Sequence, residues 1–452
     1  MTPSMDYRSS LEYLESLIDY ERTPAEARTA RFFNLARTEN LLRRLHNPEK
    51  GLVCIHIAGT KGKGSTAAMA ASILRAAGYR VGLYTSPHMV SFRERIRIND
   101  EPISESQVAA LTARLQPHLE ALHREEAGPP SFFEAYTAIA FLHFQEQRTD
   151  IAVLETGLGG RLDATNVVQP RVCGITTIAM DHMLELGNSL VQIAGEKVGI
   201  IKPEVPVVCA PQEPEAMEVI SAVCRQEQAP LLRVGAFGEG CDISVTASPP
   251  AAAGQRISIE SHKIEYHDVE VALLGEHQAW NAGVAVGMIE VLAEQGLHIK
   301  SEAIPAGLQQ VRWPGRFQVI KGEPKVILDG AHDTASASAL VRTVRTLFPD
   351  AGITLVLGIS EDKDIEGIAA ALSTIAARVV LTTAKSPRAA GLEELQRRVS
   401  SKFERADVHT AAEVEAALES ARALTHKKGI ILVTGSLYVV GEAMQALGIS
   451  PM

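Results

Sequence analysis

Cysteine is scarce in this chain of 452 residues: five, at positions 54, 173, 209, 224 and 241, with no Cys-x-x-Cys pair. Such an odd, scattered set, three of them in apolar strand-like runs, argues against a disulfide framework or a zinc site and for buried free thiols in a reducing compartment. No apolar run approaches the roughly 20 residues that span a bilayer. The opening segment, Met1-Thr-Pro-Ser-Met-Asp6, lacks the basic-then-apolar order of a signal peptide. A cytoplasmic location without a membrane partner is expected. Basic charge is also in deficit, with 44 Lys and Arg against 54 Asp and Glu and a net charge of −10. That balance argues against a nucleic-acid partner, whose phosphates want a basic face, but it leaves room for local basic pockets. Repeats and low-complexity stretches are missing as well. What remains, 46% hydrophobic and 22% charged residues, is ordinary globular composition, and the length favours two domains.

The most informative stretch runs from Ile55 to Thr66. Leu52 to Ala58 is a short apolar run with β-branched residues, readable as a buried parallel strand. Glycines 59, 62 and 64 follow, interleaved with Lys61 and Lys63, and then a strong helix pattern that ends at Gly78. Strand, glycine loop and helix together form the setting in which backbone N–H groups and a helix N-terminus cradle phosphate oxygens, with a lysine reaching the outer phosphates. Lys63 is the candidate for that lysine. The match to the generic phosphate loop is imperfect, because Ile57 stands where the first glycine would be and Gly64 separates Lys63 from Ser65. The alternative is a tight turn that uses glycine only for positive φ. Dense glycine and lysine together favour a nucleoside triphosphate.

Further along, several strand-like runs each end on polar residues. Val81–Tyr84 ends in Thr85-Ser86-Pro87-His88, and Ile151–Leu154 delivers Glu155 to the loop Gly157-Leu-Gly-Gly-Arg-Leu-Asp163. Arg171–Ile178 leads into Met180-Asp181-His182. Carboxyl ends of parallel strands are where open α/β sheets bind ligands. A carboxylate there is costly to bury unless it meets a cation or a donor, so Glu155 makes physical sense as a magnesium ligand. Residues 8–45 read as helices, 240–274 as antiparallel strands, and Leu274–Met288 as a helix with His277 and Asn281 on one face. From Lys325 strands and helices alternate again, a second α/β domain of about 140 residues.

Read together, these phrases resemble the folylpolyglutamate synthase/dihydrofolate synthase family of the Mur-ligase superfamily. That family's loop, Gly-Thr-(Asn or Lys)-Gly-Lys-Gly-Ser, includes the extra glycine, and the resemblance extends from about residue 11 to residue 442. The fold it implies is α/β, with an N-terminal P-loop ATPase-like domain (1–311) of parallel sheet plus a small antiparallel sheet, binding ATP and folate. A C-terminal Rossmann-like glutamate-ligase domain (312–452) follows. The function implied is ATP-dependent addition of L-glutamate to a pteroate or folate carboxylate, through an acyl phosphate, by a monomer. A ligase acting on a muramoyl peptide, or a nucleotide-gated switch, are the competing readings.

The resemblance also implies site roles. Gly62, Lys63, Gly64, Ser65, Asn281, Arg316 and Asp329 would bind the nucleotide. Lys63, Lys197, His332 and Asp163 would be catalytic, and Arg95, Asp163 and Ser436 would meet substrate. Generic phosphate-loop logic nominates Ser65 for magnesium, but the resemblance points to Ser86, Glu155 and His182. Lys197, in Glu196-Lys-Val-Gly-Ile-Ile-Lys202, maps to a lysine that carbon dioxide can carbamylate, which requires a neutral amine in a desolvated site. A monovalent cation is implied as well. Part of the pteroate site would lie near Thr29–Leu35. Where the family usually has His-Asn this chain has His332-Asp333, so no role carries over to position 333.

Overall fold

A computed structural model describes residues 5–18, 34–123, 128, 130–249, 254–261, 263 and 265–450. Two sheets organise it. The strands of the first are β1 (Cys54–Ala58), β2 (Val81–Tyr84), β3 (Ile96–Ile98), β4 (Glu101–Pro102), β5 (Ile151–Glu155), β6 (Val172–Ile175), β7 (Val207–Cys209), β8 (Leu231–Gly235), β9 (Ile243–Ala247), β10 (Gln255–Ser261) and β11 (Glu265–Val271). They lie in the order β11-β10-β9-β8-β7-β6-β1-β5-β2-β3-β4, parallel from β9 through β2 and antiparallel at both edges. The antiparallel strands expected over 240–274 therefore do not stand apart, because β9 pairs with β8 and carries the same sheet onward.

Period-two alternation explains how this sheet is covered on both faces. Ile55, Ile57, Ile151 and Val153 pack under helices Lys63–Ala76 and Glu276–Glu294. Cys54, Ala152 and Leu154 point the other way, onto helices Glu105–Leu122 and Phe132–Glu146. Each of the latter two starts in a reciprocal cap, Ser104 with Gln107 and Ser131 with Glu134. Of the helical region expected over 8–45, helices Tyr7–Glu15 and Leu35–Arg44 are seen, and residues 29–33 of the expected pteroate segment lie outside the described residues.

The second sheet holds β12 (Gln318–Ile320), β13 (Lys325–Leu328), β14 (Ile353–Leu357), β15 (Ala376–Leu381), β16 (Asp407–Thr410) and β17 (Ile430–Thr434), in the order β12-β13-β17-β14-β15-β16. It is parallel except for the β12–β13 pair, and helices cover both faces. The last helix on the first sheet, Ala303–Gln310, ends eight positions before β12 begins at Gln318. We propose that this connection contains the domain boundary expected at 311/312. All five cysteines are free, and four of them are buried. No helix among the described residues is long and apolar enough to cross a membrane.

Candidate active site

β1 runs straight into the glycine loop, whose shape is fixed at both ends. Thr60 and Lys61 each donate a backbone N–H to Thr177 O (2.9 and 3.0 Å), which ties the loop to the chain leaving β6. Gly62 sits at φ +89° as the N-cap of helix Lys63–Ala76, and no side chain caps that end. A Cβ at Gly62 would run into the Asn281 carboxamide, so glycine is required both by conformation and by space. The uncapped N–H groups at the start of this helix, with its dipole behind them, present a place for an anion. Ser65 is 5% exposed and its Oγ is 3.4 Å from Gln278 Nε2. Gln278 in turn accepts from Asn281 Nδ2 at 2.9 Å. Ser65 and Asn281 thus brace the loop against helix Glu276–Glu294. A Cβ on Gly64 would lie 3.0 Å from Trp313.

Glu155, the last residue of β5, is 4% exposed. It accepts from Ser86 N at 3.2 Å, and its nearest ammonium is Lys63 Nζ at 3.9 Å. Burial pushes its carboxyl up to about 7, against the pull of Lys63, Ser86 N–H and Arg316. The buried negative charge is thus undercompensated, a condition that a hard cation would relieve. Lys197 is 4% exposed and donates to Gly59 O at 2.8 Å. Burial, aided by Lys63, brings its amine down to about 7, the condition expected of a lysine that must be neutral. His182 stands on the loop after β6, at φ +51°, with 45% of its side chain exposed and Nε2 4.0 Å from Asp181 Oδ1.

From the second sheet come Arg316, Asp329 and His332. Asp329, just beyond β13, accepts from Phe317 N (2.8 Å) and Ala331 N (2.9 Å). Burial raises its pKa, while Arg316 opposes that shift. Gly330 N donates to Gly315 O at 2.8 Å, so Arg316 follows directly on a braced turn. His332 Nδ1 lies 2.8 Å from Gly330 O, and burial, with Lys61 and Lys363 adding to it, lowers the imidazole to about 4.

Three further expected site residues each have partners within the protein. Asp163 accepts from Thr165 N (3.0 Å) and Thr165 Oγ1 (2.6 Å) on one oxygen and from Leu158 N (2.9 Å) on the other. It holds the glycine loop after Glu155 in shape, since a buried carboxylate takes the nearest donors available. Arg95 is 2% exposed, with Nε 2.9 Å from His88 Nδ1 and its guanidinium 5.3 Å from the Phe132 ring centroid. It sits inside the protein as a partner of His88. Ser436 is the N-cap of helix Leu437–Ala446, accepting from Tyr438 N at 3.2 Å.

The sequence reading assigned no role to the ion pairs across the cleft. Lys61 Nζ lies 2.7 Å from Asp181 Oδ2 and 2.7 Å from Asp333 Oδ2, and Lys363 Nζ lies 3.3 Å from Asp181 Oδ1. Although burial opposes it, this company raises the Lys61 pKa, depresses that of Asp181, and holds Asp333 at about 2. The one local signal was Lys61 itself, in the glycine loop. Nothing near Lys363 in sequence announces a partner 182 positions away.

Comparison with known proteins gives consistent results. The Mur ligase middle domain matches residues 57–289, and the Mur ligase glutamate ligase domain matches residues 315–437. A dihydrofolate synthase/folylpolyglutamate synthase of Bacillus subtilis is 38% identical over 91% of this chain and 94% of its own. The crystal structure of a Thermotoga maritima folylpolyglutamate synthase is 37% identical, with a TM-score of 0.84 over 98% of this chain and 96% of that one. That of a Mycobacterium tuberculosis folylpolyglutamate synthase, solved with ADP and AMPPCP, is 34% identical, with a TM-score of 0.89 over 99% of this chain and all of that one.

Proposed function

The chain belongs to the folylpolyglutamate synthase/dihydrofolate synthase family of Mur ligases, and from that premise we propose that it joins L-glutamate to the carboxylate of a pteroate or folate at the expense of ATP. The single observation that carries this reading is the convergence, at the carboxyl ends of β1, β5 and β13, of an uncapped glycine-loop helix, an undercompensated buried glutamate and a second-sheet arginine. A carboxylate that attacks a polyanion needs positioning and positive charge, which the helix start and the arginine supply and a cation held by the glutamate would add.

In the first step the acceptor carboxylate oxygen attacks the γ-phosphorus, and the bond to the β-phosphate oxygen breaks to release ADP. The neutral glutamate amine then attacks the acyl carbon, phosphate leaves, and the nitrogen gives up one proton to a base, keeping the other as the amide N–H. Lys63 and the N–H groups at the start of its helix hold phosphate oxygens, and Arg316 reaches the same region from the second sheet. Glu155 and Ser86, whose backbone N–H already meets that carboxylate, would hold a magnesium ion, with His182 from the loop after β6 as a third ligand. When bound, the ion would supply the positive charge that offsets the repulsion between carboxylate and phosphates. Lys197, as a neutral amine, would add its nitrogen to carbon dioxide, lose a proton and become an anionic carbamate. His332 and Asp329 bring the second sheet to the nucleotide. The same proposal takes the chain to act as a monomer without nucleic-acid or membrane partners, and the net charge of −10 argues against the first of these partners. Full-length relatives named for folate ligation favour a pteroate acceptor over a muramoyl peptide.

The test is mass spectrometry of the products formed from ATP, glutamate and, in turn, dihydropteroate, tetrahydrofolate and a muramoyl peptide. A mass gain of one glutamate on a pteroate or folate acceptor, with stoichiometric phosphate release, is expected. Glutamate-independent ATP turnover without such a product would sink the ligase reading.

A further inference from the structure

Asp181, His332 and Asp333 bring one ligand atom each to within 4.8 Å of one another, the arrangement of a cation site. In this protein a positive charge already sits there. The Lys61 ammonium is 2.7 Å from a carboxylate oxygen of both aspartates. We propose that Lys61 is a tethered cation whose task is to close the cleft, a positioning residue for the ligase reaction rather than a second phosphate ligand.

The argument is one of provenance and constraint. Lys61 and Asp181 belong to the first sheet's loops, whereas Asp333 and Lys363 belong to the second sheet's. The pairs Lys61–Asp333 and Asp181–Lys363 therefore both cross between the sheets, and Lys61–Asp181 ties them into one alternating chain of four charges. Every member is held by its own backbone surroundings. Lys61 N is fixed on Thr177 O. Asp333 caps helix Thr334–Leu347 by accepting from Ser336 N at 3.0 Å. Asp181 Oδ1 accepts from His182 N at 3.0 Å, and Lys363 N donates to Ser360 O at 3.2 Å. Four groups so anchored meet only when the two sheets close.

Side-chain exposures of 26, 13, 22 and 14% for Lys61, Asp181, Asp333 and Lys363 keep the pairs from being fully screened, unlike surface ion pairs of little worth. The histidines facing the cluster, His182 and His332, stand 4.0 Å from their aspartates and donate nothing shorter to them from their rings. Without the ammonium, two carboxylates would approach each other across the seam and closure would be opposed. An open seam admits water to the acyl phosphate. This step rests on the ligase reading, but the closure itself does not.

The experiment compares the full-length wild type with Lys61→Ala, Asp333→Asn and the double variant. Asparagine caps helices as well as aspartate does, so Asp333→Asn keeps its helix start. Lys61→Gln serves as a second variant should Lys61→Ala fail to fold, as judged by circular dichroism. Small-angle scattering without any ligand is expected to show Lys61→Ala expanded relative to wild type. In ligase assays Lys61→Ala should lose about thirty-fold in kcat, with the KM for ATP changed less than three-fold. Adding Asp333→Asn should return kcat to within about five-fold of wild type, because the repulsion is gone although the cation is still missing. Unchanged scattering would overturn the closure role whatever the enzyme's substrate, since no substrate is present. A double variant no better than Lys61→Ala, or a tenfold rise in KM for ATP with kcat intact, would make Lys61 a phosphate ligand instead.

Discussion

At the carboxyl end of β5 a glutamate is buried with one ammonium 3.9 Å away and a single backbone N–H on it, and burial raises its pKa to about 7. Just past the carboxyl end of β13 an aspartate is partly buried, two backbone N–H groups hold it, and an arginine stands in the adjoining turn. The same contrast holds for the neighbours of each. On the first sheet, Lys197 is pushed toward neutrality and the glycine helix starts without a cap. On the second, Asp333 and Ser436 both cap helices. The carboxylate on one wall of the cleft is left undercompensated, whereas the one on the other wall is hydrogen-bonded in advance, although burial also perturbs His332 there. Groups with perturbed protonation mark the place where a ligand's charge completes the site. By this reasoning the first sheet carries the chemistry, and the second positions and shields it.

The contrast is tested most severely at Lys63. Replacing it with alanine should cost three orders of magnitude or more in ligation, the order of a lost charge-stabilising group, while the melting temperature stays within about 2 °C. Lys63 faces the site and not the core, so a variant that ligates normally would remove the nucleotide from this loop. Next in size is Lys197→Ala, expected to lose about a hundredfold and to regain part of it with millimolar formate or acetate standing in for a carbamate. An unaltered rate would make Lys197 an ordinary buried lysine. The wild type should show the corresponding pH profile. With its amine at about 7, half of Lys197 is neutral at that pH, against about one part in 2,500 for an unperturbed lysine. Activity at a fixed carbon dioxide concentration should climb between pH 6 and 8.

Glu155 offers a readout free of turnover. Its folded pKa lies above the usual carboxylate value, so between pH 4.5 and 7 the folded state holds the extra proton, and stability falls as pH rises through that window. A bound divalent cation reverses the penalty only where Glu155 is ionised. Magnesium is therefore expected to raise the melting temperature at pH 8 and to leave it unchanged at pH 5, and Glu155→Gln should abolish the difference. Equal stabilisation at both pH values would place the ion elsewhere.

Much of this was legible in the sequence because the signals are local. A β-branched run followed by glycines and lysines announces β1, its loop and its helix within a dozen residues, and Ile151–Leu154 points directly to Glu155. The burial that shifts Lys197 follows from an apolar segment around it. What was illegible depends on distance. Lys363 meets Asp181 across 182 positions, and no periodicity encodes that pairing. Asp163 lies in a phrase that carries the family resemblance, yet its oxygens are taken by Leu158 and Thr165, a choice set by how a glycine-rich turn folds back on itself. Nothing near Arg95 and Arg97 in sequence announces that strands β3 and β4 and the aromatic residues Phe92 and Phe132 enclose both side chains. Composition alone does not reveal that a sheet edge will be covered.

The smallest expected effect falls on the second sheet's wall, at Ser436, where capping and substrate contact are separable. Its Oγ accepts from Tyr438 N, which leaves the hydroxyl hydrogen free to donate to a ligand at the end of β17. Ser436→Ala removes both functions. The lost cap should cost about 1 kcal/mol, seen as a melting temperature lower by about 2 °C for a chain of this size. The lost donor should raise the KM for glutamate about fivefold, with little change in that for ATP. Ser436→Asn restores an accepting oxygen at the cap but places a larger group over the end of β17. It should recover the melting temperature and leave the glutamate KM high. Recovery of both would mean that the hydroxyl serves only the helix and that glutamate is held elsewhere on the second sheet. Loss of ATP binding in either variant would instead place Ser436 with Arg316, Asp329 and His332 at the nucleotide.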